Sequence, residues 1–230
     1  KGLGIVLVTA SNNLAVLDVD DEELMNIIIA MQGFSEAYRM VRTARKRGHS
    51  LIGVGAVKKR KGFHLVIEAL PVILKNIPDL EYFIVGDLSD AVYVNSLKIR
   101  ARELGVEERV KFLGKISDQE LSELYCKCGL FVLTPVSDRY NFEGFGLVYL
   151  EANILGLPVI GTYDNGGEEA IKNNYNGFLV MPGDKDGLAN CVTKILSNKE
   201  LYDTLSANAK VWAKSHTWDK IGEQYLKLYQ

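Results

Sequence analysis

The chain has 230 residues, 47% of them hydrophobic, which is enough apolar material for one large core or for one domain with an appendage. Its formal net charge of −2 excludes a dedicated nucleic-acid binder, because such proteins need a basic face to displace counterions from phosphates. Three cysteines, Cys126, Cys128 and Cys191, form neither an even disulfide framework nor a zinc pattern, so a reducing compartment and small-molecule chemistry are expected.

Residues 2–10 form an apolar run behind a single Lys1. The run is too short to span a bilayer and carries no signal-peptidase pattern, so it reads as a buried strand over 4–8 in a cytoplasmic protein. Residues 22–47 read as one or two helices, with a basic end at 42–49 that complements the negative end of a helix dipole. Residues 1–50 would make a poor domain alone and read as a linker or the remnant of an N-terminal domain.

From Leu51 onward short apolar runs alternate with longer segments of helical period. This is the pattern of a parallel sheet covered by helices on both faces, a doubly wound α/β fold. Strands are predicted at 51–57, 80–85, 110–113, 130–133, 158–161 and 177–180. Helices are predicted at 63–76, 91–104, 118–126, 145–155, 168–173, 185–197 and 200–215. Ser117 with Glu120 three residues later forms a helix-start signal, and Gly105 and Gly156 mark helix ends. Residues 51–215 therefore constitute the domain, and 216–230 a closing segment with a helix at 220–229.

The informative stretch is Asn141-Phe142-Glu143-Gly144-Phe145-Gly146-Leu147-Val148-Tyr149-Leu150-Glu151, between the strand at 130–133 and the helix that follows. Glycines at a strand-to-helix turn let the backbone approach a ligand, and the free N–H groups of a first helical turn face an anion. Glu143 and Glu151 lie eight positions apart, roughly 12 Å along a continuous helix axis. That separation suits a nucleoside diphosphate-sugar, with one glutamate on the sugar, the helix start on the diphosphate and the other glutamate on the ribose. Spacing alone favours the plainer reading, an exposed glutamate at a turn and a paired one on a helix.

Glu-Gly-Phe-Gly-Leu-x-x-Leu-Glu at 143–151 resembles the Glu-x7-Glu motif of the retaining glycosyltransferases of family 4, which share the two-Rossmann-domain architecture called GT-B. Gly55 followed by Lys61-Gly62 is similar to that family's Gly-Arg-x5-Lys-Gly entry. Ala56 stands where the family has arginine, which leaves Lys58, Lys59 and Arg60 as neighbouring cations. Further resemblances run in family order: Ile84-Val85-Gly86-Asp87, Phe112-Leu113-Gly114, Gly156-Leu157-Pro158, Asn165-Gly166-Gly167 with Glu169, Asn176-Gly177-Phe178, Pro182-Gly183-Asp184 and Thr217-Trp218.

The resemblance implies a Rossmann-like, doubly wound parallel sheet forming the C-terminal half of a GT-B enzyme. It implies Glu143 and Lys61 as the catalytic pair, on the sugar and the diphosphate. Gly144, Phe145, Gly146, Leu147, Glu151, Gly86, Gly114, Lys115 and Ile116 would bind substrate. The expected partner is a nucleotide-sugar, with no cofactor and no metal. An N-terminal domain or partner chain would complete the site, and membrane contact would come only through a lipid-linked acceptor. A non-catalytic nucleotide-sugar-binding module and a nucleotide-sugar epimerase of the same architecture are the competing expectations.

Other signals are weaker. Asp18-Val19-Asp20 has metal-binding spacing, yet acidic residues ahead of a helix also favour its N-terminus. Gly53-Val54-Gly55 lacks the third glycine of a dinucleotide fingerprint, Lys58 standing in its place. Lys58-Lys59-Arg60-Lys61 is a short basic run that overlaps the expected diphosphate loop. His49, His64 and His216 lack ligand spacing, and Cys126 and Cys128 near a helix end are expected to be core residues.

Overall fold

A computed structural model describes residues 7–8, 14–15, 49–137 and 143–216. The two-residue strands β1 (Leu7–Val8) and β2 (Leu14–Ala15) pair antiparallel, apart from the main sheet. The rest of the strand expected at 4–8, the helices at 22–47, Asp18-Val19-Asp20, Asn141, Phe142, Thr217-Trp218 and the helix at 220–229 lie outside the described residues.

The main sheet has six parallel strands: β3 (Ser50–Val54), β4 (Glu81–Val85), β5 (Val110–Gly114), β6 (Leu130–Val132), β7 (Val159–Thr162) and β8 (Gly177–Val180). Their order in space is β5-β4-β3-β6-β7-β8, so the winding direction reverses between β3 and β6. The helices are α1 (Phe63–Asn76), α2 (Ala91–Glu103), α3 (Asp118–Lys127), α4 (Leu147–Ile154), α5 (Lys185–Ser197) and α6 (Lys199–Ser215). They cover both sides, which is why β3 and β6 are apolar at nearly every position rather than at alternate ones.

Register and side-chain contacts assign the two faces. Ile52 pairs with Phe131, and Phe131 meets the rings of Tyr125 on α3 and Tyr149 on α4. Gly53, one residue on and so on the opposite face, lies against Phe63 of α1. α1 packs between α2 and α5, and α4 packs on α6. Two buried asparagines tie the second half together: Asn176 Nδ2 donates to Asn153 Oδ1 at 2.5 Å, and Asn153 Nδ2 to the Leu157 carbonyl at 2.9 Å. Cys128 is buried at the end of α3, and Cys126 and Cys191 are partly buried, none of the three in a disulfide.

Three elements differ from expectation by more than a single residue. β3 stops at Val54 because Gly55 turns the chain away. The helix expected at 145–155 begins only at Leu147, since Gly146 takes a left-handed conformation that no helix interior accommodates. The helix expected at 168–173 is instead a 3-10 turn, Gly166–Ala170. The chain then bends through Asn174, whose φ is 63°, with the Lys172 amide held by Asn176 Oδ1 at 2.7 Å.

Candidate functional site

In open parallel sheets a ligand sits beyond the carboxyl ends of the strands where the winding reverses, which here is the edge shared by β3 and β6. The helices that follow those two strands start unlike the others. α2, α3, α5 and α6 are each capped by a side chain: Asp90, Ser117, Asp184 and Asn198 accept from amides of the first turn. Ser117 and Glu120 close a full capping box. α1 begins behind Gly62 and α4 behind Gly146, with no side-chain cap and no acidic residue in the first turn. The Tyr93 hydroxyl lies 3.4 Å from the His64 amide and 2.9 Å from His64 Nδ1 in the first turn of α1. Uncapped helix starts leave N–H donors and the positive dipole end for an anion.

Gly62 is required by its surroundings. Its φ is 75°, and a Cβ there would overlap the backbone carbonyl of Thr134, which follows β6. The two loops are stitched by Thr134 Oγ1 donating to the Gly62 carbonyl at 2.8 Å and by the Val136 amide donating to the Arg60 carbonyl at 2.8 Å. The short 3-10 turn Lys59–Lys61 is thereby fixed against the end of β6.

That turn brings two cations onto Glu143. Lys61 Nζ lies 2.7 and 2.8 Å from the two carboxylate oxygens, and Arg60 Nη1 donates to Oε2 at 3.1 Å. The side chains of Glu143, Lys61 and Arg60 are 8%, 12% and 32% exposed, so the carboxylate is sealed while the guanidinium reaches solvent. Glu143 also takes the Gly166 amide on its backbone carbonyl at 3.1 Å. Beside it Gly144 is exposed with open space around it. Leu147 is partly buried, and the Phe145 ring lies 6.4 Å from His216 at the end of α6.

Along the same edge the Gly86 amide donates to the Gly114 carbonyl at 2.9 Å, and the Gly55 amide to Val85 at 2.9 Å. Lys115 is exposed and pairs with Asp87 at 3.2 Å. The Ser89 amide, then the Ser89 hydroxyl and Lys115, hold the Asp87 carboxyl below its usual range. Ile116 is partly buried against the core.

Glu151 stands apart from this cluster. Its carboxylate lies 3.5 Å from the Tyr125 hydroxyl, and burial pushes its pKa to about 7, with the charge of Asp118 adding to the rise and Tyr125 opposing it. Asp118 heads α3 just after Lys115 and Ile116, so Glu151 lies toward that loop and Glu143 toward the start of α1. The continuous helix from which the roughly 12 Å separation follows does not form. The helix starts at Leu147, leaving only roughly 6 Å of axial rise to Glu151, and Glu143 belongs to the loop.

The partners of both glutamates were not legible in the sequence, because Arg60 and Glu143 are 83 positions apart and Tyr125 and Glu151 are 26 apart. Among the described residues no group of three or more His, Cys, Asp or Glu is placed to hold a metal ion, and no helix is long and apolar enough to cross a membrane.

The fold and this edge define a Rossmann-like α/β domain with a cationic, carboxylate-bearing site at its strand reversal. The chain belongs to the family of group 1 glycosyl transferases, whose model matches residues 35–212. It is 31% identical to the mannosylfructose-phosphate synthase of Agrobacterium fabrum, over 80% of this chain and 40% of that protein. It is also 31% identical to a GDP-mannose-dependent alpha-(1-6)-phosphatidylinositol monomannoside mannosyltransferase of Mycolicibacterium smegmatis, over 74% of this chain and 44% of the relative. The chain thus spans less than half the length of these curated relatives.

Among solved structures, Anabaena Alr3699/HepE in complex with UDP-glucose superposes with a TM-score of 0.69 at 26% identity, covering 87% of this chain and 52% of that one. The C-terminal domain of the group 1 glycosyl transferase LpcC of Francisella tularensis gives 0.64 at 25% identity, covering 79% of this chain and 91% of that one.

Proposed function

We propose that this chain is the donor-binding half of a retaining glycosyltransferase that moves a sugar from a nucleoside diphosphate to an acceptor hydroxyl. The observation that carries the proposal is the pairing of two uncapped helix starts, α1 and α4, at the strand reversal, with a buried carboxylate between two cations beside them. Family membership and the nucleotide-sugar held by the Anabaena structure support the same reading.

In the proposed reaction the bond from the anomeric carbon to the phosphate oxygen breaks, and its electron pair leaves with the diphosphate. The acceptor oxygen bonds to the same carbon and passes its proton to the departing diphosphate oxygen. Negative charge grows on the leaving group, so Lys61 and the N–H groups behind Gly144–Gly146 stabilise its departure. Glu143 orients the sugar, and Glu151 accepts bonds from the ribose hydroxyls. Gly86, Gly114, Lys115 and Ile116 line the nucleoside side, while Phe145 and Leu147 flank the sugar and phosphate. The acceptor is held by an N-terminal domain or a partner chain.

Calorimetry of the chain against UDP-, GDP- and ADP-sugars tests this reading. One base class is expected to bind, with Glu151→Ala weakening it. Failure of every donor to bind, or full affinity in Glu151→Ala, would overturn the assignment.

A further inference from the structure

Among the described residues, three charged side chains meet at the start of α1, and they do not balance. Glu143 brings one negative charge, while Lys61 and Arg60 bring two positive ones. Lys61 already spans both carboxylate oxygens, at 2.7 and 2.8 Å. Arg60 adds a single bond through Nη1 at 3.1 Å, although a guanidinium carries five donors in a planar fork. The other four make no hydrogen bond to a described residue, and the side chain is 32% exposed, against 12% for Lys61.

Arg60 is also the best placed of the spare cations. Lys58 and Lys59 are exposed, and the field of Lys59 falls on His64, whose pKa is lowered chiefly by burial. Ala56 carries no charge. The Arg60 backbone, by contrast, is fixed by the Val136 amide at 2.8 Å, and it lies directly before the uncapped start of α1.

We propose that Arg60 exchanges partners when the donor binds, releasing Glu143 to the sugar and closing its fork on the diphosphate. Lys61 and Arg60 then neutralise the phosphates together, and Arg60 takes the part that Ala56 leaves unfilled. The inference rests on the donor-site reading above. The excess positive charge and the two uncapped helix starts are what a diphosphate would match, and a planar fork suits phosphate oxygens better than a further lysine does.

The test is calorimetry with UDP, GDP and ADP, and with the corresponding nucleosides, on the parent and on Arg60→Ala, Arg60→Lys, Lys59→Ala and Ala56→Arg/Arg60→Ala. Arg60→Ala is expected to weaken the preferred nucleoside diphosphate about 10- to 100-fold, as loss of a charge-assisted bond does, while nucleoside affinity stays within about twofold. Arg60→Lys, which keeps the charge and guards against a folding artefact, is expected to fall between parent and alanine. Lys59→Ala should bind like the parent, and the double variant should recover most of the loss. Arg60→Ala binding the diphosphate like the parent, or losing nucleoside and diphosphate affinity equally, would overturn the role of Arg60 alone. A parent that binds no nucleoside diphosphate would overturn the donor-site reading and this inference with it.

Discussion

Replacing Lys61 with methionine removes a cation from a carboxylate that is only 8% exposed. With the ions 2.7 Å apart, Coulomb attraction at an effective dielectric constant near 20 is about 6 kcal/mol. Burying both groups costs several kcal/mol per ion, so the net contribution of the pair is small. Removing one partner is another matter. A fully orphaned buried charge costs about 3–5 kcal/mol, but Arg60 remains 3.1 Å from Oε2. We therefore expect Lys61→Met to lose about 1–3 kcal/mol, because one of two cations survives. Glu143→Gln leaves two cations facing a neutral amide and should lose about 1–2 kcal/mol. Lys61→Met/Glu143→Gln should lie within about 1 kcal/mol of the parent, since both charges are gone and the shape is kept. Urea denaturation of the four proteins at pH 7 closes the double-mutant cycle. Costs that simply add, with a coupling below about 0.5 kcal/mol, would refute the view that these ions exist as a pair. The same double variant is expected to lose nucleoside diphosphate binding despite its retained stability, since the pair serves binding rather than folding.

Glu151 supplies a pH dependence with a definite sign. Its folded pKa, about 7 against an unperturbed 4.5, means the folded state holds a proton that the unfolded chain has lost between those values. Stability contributed by this group therefore falls as pH rises from about 4.5 to about 7 and is flat above. Donor affinity should run the opposite way across pH 6 to 8, because the ribose hydroxyls need the ionised carboxylate as acceptor. Titration calorimetry at several pH values checks this, and a slope that persists in Glu151→Gln would discount the residue. Two glycine substitutions separate folding from binding. Gly62→Ala places a methyl on the Thr134 carbonyl at positive φ and should destabilise the protein by about 3 kcal/mol or more. Gly144→Ala meets open space and should leave stability within about 0.5 kcal/mol while weakening nucleoside diphosphate binding. A shifted melting temperature with unchanged affinity in Gly144→Ala would place the phosphates elsewhere.

Periodicity, capping signals and glycine placement, all local properties, determined the fold class. The bounds of α1, α5 and β8 agree with the sequence to the residue, and the Ser117–Glu120 box starts α3 as its spacing requires. Local signals also located the candidate edge, since Lys61, Gly86, Gly114 and Glu143 follow strands whose carboxyl ends must align in a parallel sheet. Where local conformation departs from simple period, the sequence misled: Gly146 delays α4, and the glycine pair at 166–167 opens a 3-10 turn instead of a helix. Only the tertiary structure decided what each charge faces. Sheet winding brings Arg60 and Lys61 to Glu143 across more than eighty residues, and α3 carries Tyr125 and Asp118 to Glu151. Burial and charge pairing are set by elements distant in the chain, so no spacing along the sequence encodes them.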